Sequence, residues 1–485
     1  MFTDDILLLA SLLILAAILI TKVGSKLGAP SLLLFLLLGM AVGADGLGLV
    51  LDDYEMAEGI GHFAMSIILF AAGLETHWSQ TKPILKQSIL LSTVGVMITT
   101  VLTGLFIFFV FGHHVGGAAL TVVGCLMIAA VLSPTDSISV FAILRDKRLH
   151  LRENLGPMLE VESGSNDPMA NILTVILVGV LTESAGLSNW QMAGHAGLNF
   201  LLQIFVGLAV GLATGFAGKW LLEHIHLDNS SLYAILILSV CFVTNSLAGF
   251  LHGNELLAVY LSATFLGNRA KLESRRDVMK FFEGISWLMQ LVMFLMLGLL
   301  ARPSTMGPLL LPALFIGLFL MVVARPASVF LTLLPFRGLS VRAKTLVSWV
   351  GLKGAGPILC ALCPVVEGME NAGEIFNIVF LISLLSLVLQ GFSFPILTKT
   401  LDLSYEADPE VNTFGIDIPE EMGMLRDHIV TEEDLAGGNT LRDLRLPHGI
   451  RVMMVRRGER FLVPHGSMQL EVGDKLVIIM GESDD

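Results

Sequence analysis

Ser133-Pro134-Thr135-Asp136, in the middle of the apolar stretch 118–144, and Gly351-Leu352-Lys353-Gly354-Ala355-Gly356-Pro357, in the middle of the apolar stretch 344–366, decide how the chain is read. Each interrupts a run long enough to cross a bilayer, whose hydrocarbon core takes about 20 apolar residues of helix. Proline removes a backbone donor and crowds the preceding turn, while glycine lets the chain unwind. Within hydrocarbon an unwound segment is tolerated only where it is buried in protein or lines a cavity. Two such breaks point to a binding site at the bilayer midplane, framed by half-helix ends and freed carbonyls.

The rest of the chain supports a membrane setting. It has 485 residues, 54% hydrophobic and only 15% charged, with a mean hydropathy of +0.78; soluble globular proteins carry about 25% charged residues. Thirteen candidate spans run approximately over 6–23, 31–49, 58–75, 84–111, 118–144, 156–182, 195–222, 231–250, 255–268, 281–301, 307–335, 344–366 and 374–398. Asp4 and Asp5 stand where a signal peptide would carry basic residues, so 6–23 is expected to be a retained first helix. Placing the N-terminus outside puts 18 of the 21 Lys and Arg residues before position 401 on the cytoplasmic side, Lys22, Lys82, Arg145, Lys219, Arg275, Arg342 and Lys399 among them. Trp78, Trp190, Trp220, Trp287 and Trp349 fall near span ends, where aromatic belts form. Thirteen spans divide as six, one and six. The expected fold is therefore an all-α polytopic membrane protein of two inverted six-helix repeats, with the fifth and twelfth helices broken at equivalent positions.

Charge separates a second part. Residues 1–400 carry a net charge of -3 and residues 401–485 a net charge of -10, within a total of -13. This balance excludes a nucleic-acid binder, which needs a basic surface. Cys125, Cys241, Cys360 and Cys363 all lie in apolar stretches and read as small buried hydrophobes, not as disulfides or metal ligands.

Five ionisable residues lie deep in spans: Asp136, Glu162, Asp167, Arg325 and Lys353. Each costs at least about 2.5 to 3.5 kcal/mol on insertion scales and needs a reason to be there. In Glu160-Val161-Glu162-Ser163-Gly164-Ser165-Asn166-Asp167-Pro168, Glu162 pairs with Asn166 and Ser163 with Asp167 at i,i+4 spacing, so one helix face offers two carboxylates, a hydroxyl and an amide. This oxygen-rich, sulfur-free set suits hard cations. Removal from water favours the protonated form of a carboxylic acid, and a bound cation favours the ionised form. A single carboxylate that holds either partner couples the two. Asp167 is the candidate for it. Glu162 is assigned to a structural ion pair with Arg325, and Lys353, in the twelfth-span break, to the carbonyl end of a half-helix.

Ser133-Pro134-Thr135-Asp136, Glu162-Ser163-x-x-Asn166-Asp167, Leu257-Ala258-Val259-Tyr260-Leu261 through Leu266-Gly267-Asn268, Arg325-Pro326-Ala327-Ser328-Val329-Phe330 and Gly351-Leu352-Lys353-Gly354-Ala355 together resemble the monovalent cation:proton antiporter-1 family, the NhaP-like sodium or potassium/proton antiporters, over about 400 residues. The resemblance implies that Asp167 binds cation and proton, that Thr135, Asp136 and Ser163 line the cation site, and that Glu162 and Arg325 form a structural pair. It also implies electroneutral exchange, because Asn166 stands where electrogenic relatives have a second Asp, and a homodimer in the bacterial inner membrane with its C-terminus in the cytoplasm. Where the family has Arg, this chain has Lys353; the charge is retained and the bidentate geometry is not.

A linker is expected at 401–425. Beyond it, 426–485 carries short alternating strands and turns, with Gly437-Gly438-Asn439-Thr440-Leu441-Arg442-Asp443-Leu444-Arg445-Leu446-Pro447 and Gly473-Asp474-Lys475-Leu476. This resembles the RCK-C or TrkA-C subdomain of potassium-conductance regulators, which implies a small α/β regulatory unit that dimerises and takes a nucleotide or cyclic dinucleotide. Arg451, Arg456, Arg457 and His465 are candidates to meet phosphates, or else a solvated face. No other cofactor is expected. The tail inclines the cation toward potassium. A sodium/proton antiporter with a non-sensing tail is the alternative; a cation channel would want a repeated carbonyl-ring filter, which the sequence lacks, and no nucleophile-base constellation suggests an enzyme.

Overall fold

The computed structural model describes residues 4–27, 30–111, 114, 115, 118, 119, 121–147, 149–183, 189–227, 229–270, 275–336, 338–406, 425–431, 434, 435, 438–444, 450–457 and 460–480. The chain divides into two compact units, Met1–Tyr405 and Glu406–Asp485. The first is helical: α1 (Asp4–Leu27), α2 (Ser31–Val42), α3 (Tyr54–Glu75), α4 (Leu85–Val110), α5 (Val122–Val131), α6 (Ser137–Asp146), α7 (Leu155–Glu183), α8 (Asn189–His224), α9 (Ser230–Phe250), α10 (Glu255–Arg269), α11 (Arg275–Leu300), α12 (Pro303–Thr332), α13 (Val341–Trp349), α14 (Ala355–Cys360), α15 (Leu362–Val366) and α16 (Ala372–Thr400). Among the described residues, eight helices are long and apolar enough to cross a membrane, and Leu8–Lys22, Ser31–Val42, Val122–Val131 and Ala355–Val366 are shorter apolar helices. The second span is shorter than the expected 31–49, because Gly43 ends α2 in an extended conformation and Gly48 adopts a positive φ.

A large apolar cluster runs through the unit, and a smaller one joins Phe70 and Leu74 of α3 to Ile237 and Cys241 of α9, Leu266 of α10 and Phe282 of α11. Phe205, Phe216, Leu311 and Phe315 are exposed on helix surfaces, as hydrocarbon-facing side chains are. Where α2 crosses α11, a Cβ on Gly39 would lie 2.8 Å from the Gly298 Cα, so only glycine permits this approach. The crossing matters because α11 forms one wall of the site. Two π-turns, Leu91–Gly95 and Leu320–Ala324, interrupt α4 and α12, and the Ser328 hydroxyl of α12 donates to the Gly95 carbonyl (2.6 Å). The second π-turn delivers Arg325 into the interior.

The C-terminal unit is a four-stranded antiparallel sheet, β1 (Leu425–Ile429), β2 (Ile450–Arg457), β3 (Arg460–Leu462) and β4 (Lys475–Met480), in the order β1-β4-β2-β3. Its core is Val430, Leu444, Val455, Leu470, Leu476 and Ile478. The expected α/β tail is thus corrected: among the described residues it holds strands and turns and no helix. The reason is local, since the polar run after Asn439 is a turn closed by Thr440 on Asp443, too short to nucleate a helix. The linker expected at 401–425 falls largely on residues outside those described.

One buried ion pair fixes the sheet's end. Arg457 Nε and Nη2 donate to the two oxygens of Asp474 (2.9 and 2.7 Å), and the Glu471 amide donates to Asp474 as well (2.9 Å). Burial alone would raise the Asp474 carboxyl, but the Arg457 pairing and the Glu471 amide hold it below the usual carboxylate range. A carboxyl depressed in the folded state contributes stability above its unfolded pKa and loses it as pH falls through the folded value. The protection of the 450–457 and 475–480 amides against hydrogen exchange, taken relative to their intrinsic rates at each pH, should therefore fall on acidification through that value in the full-length protein, and Asp474→Asn should lower it at neutral pH and flatten the dependence. Protection that is the same in both proteins and does not change with pH would refute this.

Candidate functional site

The two broken helices cross. α5 ends at Leu132, and 133–136 run without helical structure into α6; α13 ends at Val350, and 351–354 run without helical structure into α14. At the crossing the Asp136 amide donates to the Leu352 carbonyl (2.8 Å). Lys353, 1% exposed, sends its Nζ to the Ser133 (3.1 Å) and Pro134 (2.9 Å) carbonyls, the end of α5, where the helix dipole and its orphan carbonyls attract a cation. α16 braces the second break: Ser386 Oγ accepts from the Lys353 amide (2.9 Å), and Gln390 Nε2 donates to the Trp349 carbonyl (2.7 Å).

α7 holds the first break from the side. Asn166 Nδ2 donates to Thr135 Oγ1 (2.6 Å), and Ser163 Oγ donates to the Thr135 carbonyl (2.7 Å) while accepting from the Ser137 amide (3.1 Å). The Ser163 hydroxyl is thus engaged with the backbone of the break, next to Thr135. Glu162 carries its carboxylate away to Arg325, with which it forms an ion pair whose side chains are 1% and 4% exposed.

Asp167 and Asp136 are half-buried amid buried neighbours, because both line a cavity of about 20 Å³ together with Thr135. Ser139 holds Asp136 through its hydroxyl and its amide (3.0 Å). Gly356 keeps room for the other carboxylate, since a Cβ there would lie 3.2 Å from Asp167 Oδ1. The facing wall, which includes Ile68, Gln290, Met293 and Phe294, was missed by sequence reasoning. Gln290, with Glu283 and Ser286 one of the polar side chains within 281–301, was the available signal.

In the C-terminal unit Arg457 does not face outward as a phosphate contact; its guanidinium is held by Asp474, Glu471 (2.6 Å) and the Gln469 carbonyl (2.8 Å). Arg456 lies over the Phe461 ring, 5.6 Å from its centroid, and His465 Nδ1 is 3.2 Å from Ser467 Oγ. The Arg451 side chain lies outside the described residues.

Crossed broken helices that bring two carboxylates and a hydroxyl to one buried cavity define an ion-translocating membrane protein. The family model described as sodium/hydrogen exchanger, transmembrane, matches residues 11–400, and the TrkA-C domain model matches residues 425–484. The chain belongs to the sodium/hydrogen exchanger family and carries a TrkA-C domain: it is a multi-pass cation/proton antiporter and not an enzyme. It is similar to the K(+)/H(+) antiporter NhaP2 of Shewanella baltica, 34% identical over 480 residues, which cover 98% of this chain and 81% of the relative. The K(+)/H(+) antiporter NhaP of Alkalimonas amylolytica is 34% identical over 487 residues, 99% and 81% of the two chains. The low-affinity Na(+)/H(+) antiporter NhaS1 of Synechocystis sp. is 28% identical over 388 residues, 77% and 70%. Among solved structures, the sodium proton antiporter MjNhaP1 of Methanocaldococcus jannaschii shares the fold, with a TM-score of 0.68 at 22% identity over 81% of this chain and 97% of that one.

Removing one member of the Glu162–Arg325 pair leaves the other charged and buried, at a cost of about 3 to 5 kcal/mol. Glu162→Ala and Arg325→Ala should each lower the melting temperature of the detergent-purified protein, and the double variant should fall short of the sum. Unchanged melting temperatures in both single variants would rule out a structural pair.

Proposed function

We propose that the chain exchanges potassium for protons, one for one, through Asp167. The observation that carries this reading is the half-buried Asp167 carboxylate in a cavity it shares with Asp136 and Thr135, while the other deep carboxylate of α7, Glu162, is already paired. A cation and a proton compete for the same oxygens. If only the neutralised carboxylate crosses between inward-facing and outward-facing states, exchange follows without a separate gate. Asp136 and Thr135 supply further oxygens. Lys353 and Asn166 act at one remove, Lys353 by neutralising the end of α5 and Asn166 by fixing Thr135. Because Asn166 is an amide, one carboxylate alone changes protonation, and the cycle moves no net charge.

Potassium is favoured by the K(+)/H(+) antiporters that align with both parts of the chain at 34% identity. The helical unit is read as thirteen spans in two inverted repeats about α8, with the N-terminus outside, in a homodimer of a bacterial inner membrane. The TrkA-C domain is read as the regulatory part, on the cytoplasmic side.

Proteoliposomes carrying a proton gradient test this. Added potassium should drive proton flux in the wild type, and Asp167→Asn should abolish it while the protein stays folded. Flux should not change when the membrane potential is clamped at different values with the ion gradients held fixed. Full exchange by Asp167→Asn would overturn the assignment of the carrier, and a rate that follows the potential would overturn the one-for-one count.

A further inference from the structure

The cavity wall facing the two carboxylates comes from α2, α3 and α11. It is apolar, built of Leu32, Ile68, Met293 and Phe294, with one exception, Gln290. Gln290 is 5% exposed. Its Nε2 donates to Ser286 Oγ, one turn earlier on α11 (3.2 Å), which leaves the carbonyl end of the amide on its own. Gln290 Oε1 is buried and has no hydrogen-bond partner among the described residues. Most buried side-chain oxygens in folded proteins accept at least one hydrogen bond, so an orphan beside a cavity calls for a partner that arrives from the cavity. An alkali cation is such a partner, because carbonyl oxygens replace its hydration shell and nothing else on it needs a donor.

Size supports the same conclusion. The cavity of about 20 Å³ has room for roughly one or two water-sized bodies, at about 10 to 15 Å³ for each. An ion therefore enters with most of its water removed, and protein oxygens must surround it. Apart from Gln290, the polar side chains of the lining are Asp167, Asp136 and Thr135, which come from α7 and the first break. We propose that Gln290 is a cation ligand: its Oε1 completes, from α11, the oxygen shell whose charged half is Asp167, and it determines which alkali cation the site prefers. The proposal rests on the antiport reading and refines it. An amide oxygen binds the cation and offers nothing to the transported proton, so its loss falls on cation affinity and selectivity.

The test measures exchange by full-length Gln290→Leu and Gln290→Asn in proteoliposomes with potassium, sodium or rubidium, alongside potassium-dependent melting in detergent. Gln290→Leu should raise the apparent KM for potassium about tenfold, alter the potassium-to-sodium preference, and leave the rate at saturating cation within about twofold of wild type. Its potassium-induced rise in melting temperature should shrink. Gln290→Asn, which keeps the amide but draws it back by one methylene, should exchange with an altered preference among the three ions, and it carries the test should the leucine variant fail to fold. Unchanged KM and preference in a folded variant, or a lowered maximal rate with KM unchanged, would overturn the proposal while leaving the antiport reading in place. A wild type that exchanges none of the three cations would remove the reading itself.

Discussion

Lys353 on the carbonyl end of α5 is the contact on which the architecture depends. Two helices unwound inside a membrane domain leave backbone groups that neither water nor helix can satisfy. Here each break supplies the other: the Asp136 amide reaches the Leu352 carbonyl, and the Lys353 ammonium reaches the Ser133 and Pro134 carbonyls. Ser163 and Asn166 of α7 and Ser386 and Gln390 of α16 then tie both breaks to continuous helices. With the backbone satisfied by the protein, the Asp167 carboxylate takes no part in this network among the described residues, which is what the proposed carrier requires.

The two deep carboxylates of α7 show how position on one helix separates structure from transport. Glu162 points to Arg325, delivered by the π-turn of α12, and is fully buried; Asp167 points to the cavity and is not. A charge paired at close range in a dry interior is costly to part from its partner. A carboxylate beside a cavity can change its partner. Ser163 and Asn166 of the same helix meet the backbone and side chain of Thr135.

Much of this was legible in the sequence because membranes impose severe rules. A proline or glycine break, or a charge within an apolar run, is unusual enough to mark a site by itself, and Asp136, Asp167 and Lys353 were visible for that reason. The backbone partners of Ser163 were not legible, because helical spacing shows which face a residue occupies but not which neighbour reaches it first. The apolar wall of the cavity had no signature, since Ile68, Met293 and Phe294 look like any other span residues. Arg457 was ambiguous for the opposite reason: in a strand, alternation does not reveal that Asp474 lies within reach around the next turn.

The central claim is that a cation and a proton compete for one carboxylate. The most direct measurement is the proton released when potassium is titrated into the detergent-purified protein, obtained by calorimetry in two buffers of different ionisation enthalpy. The account predicts a release close to one proton per bound cation at the acidic end of the binding range, declining as pH rises and Asp167 is already ionised. Potassium binding with no proton release at any pH would contradict it.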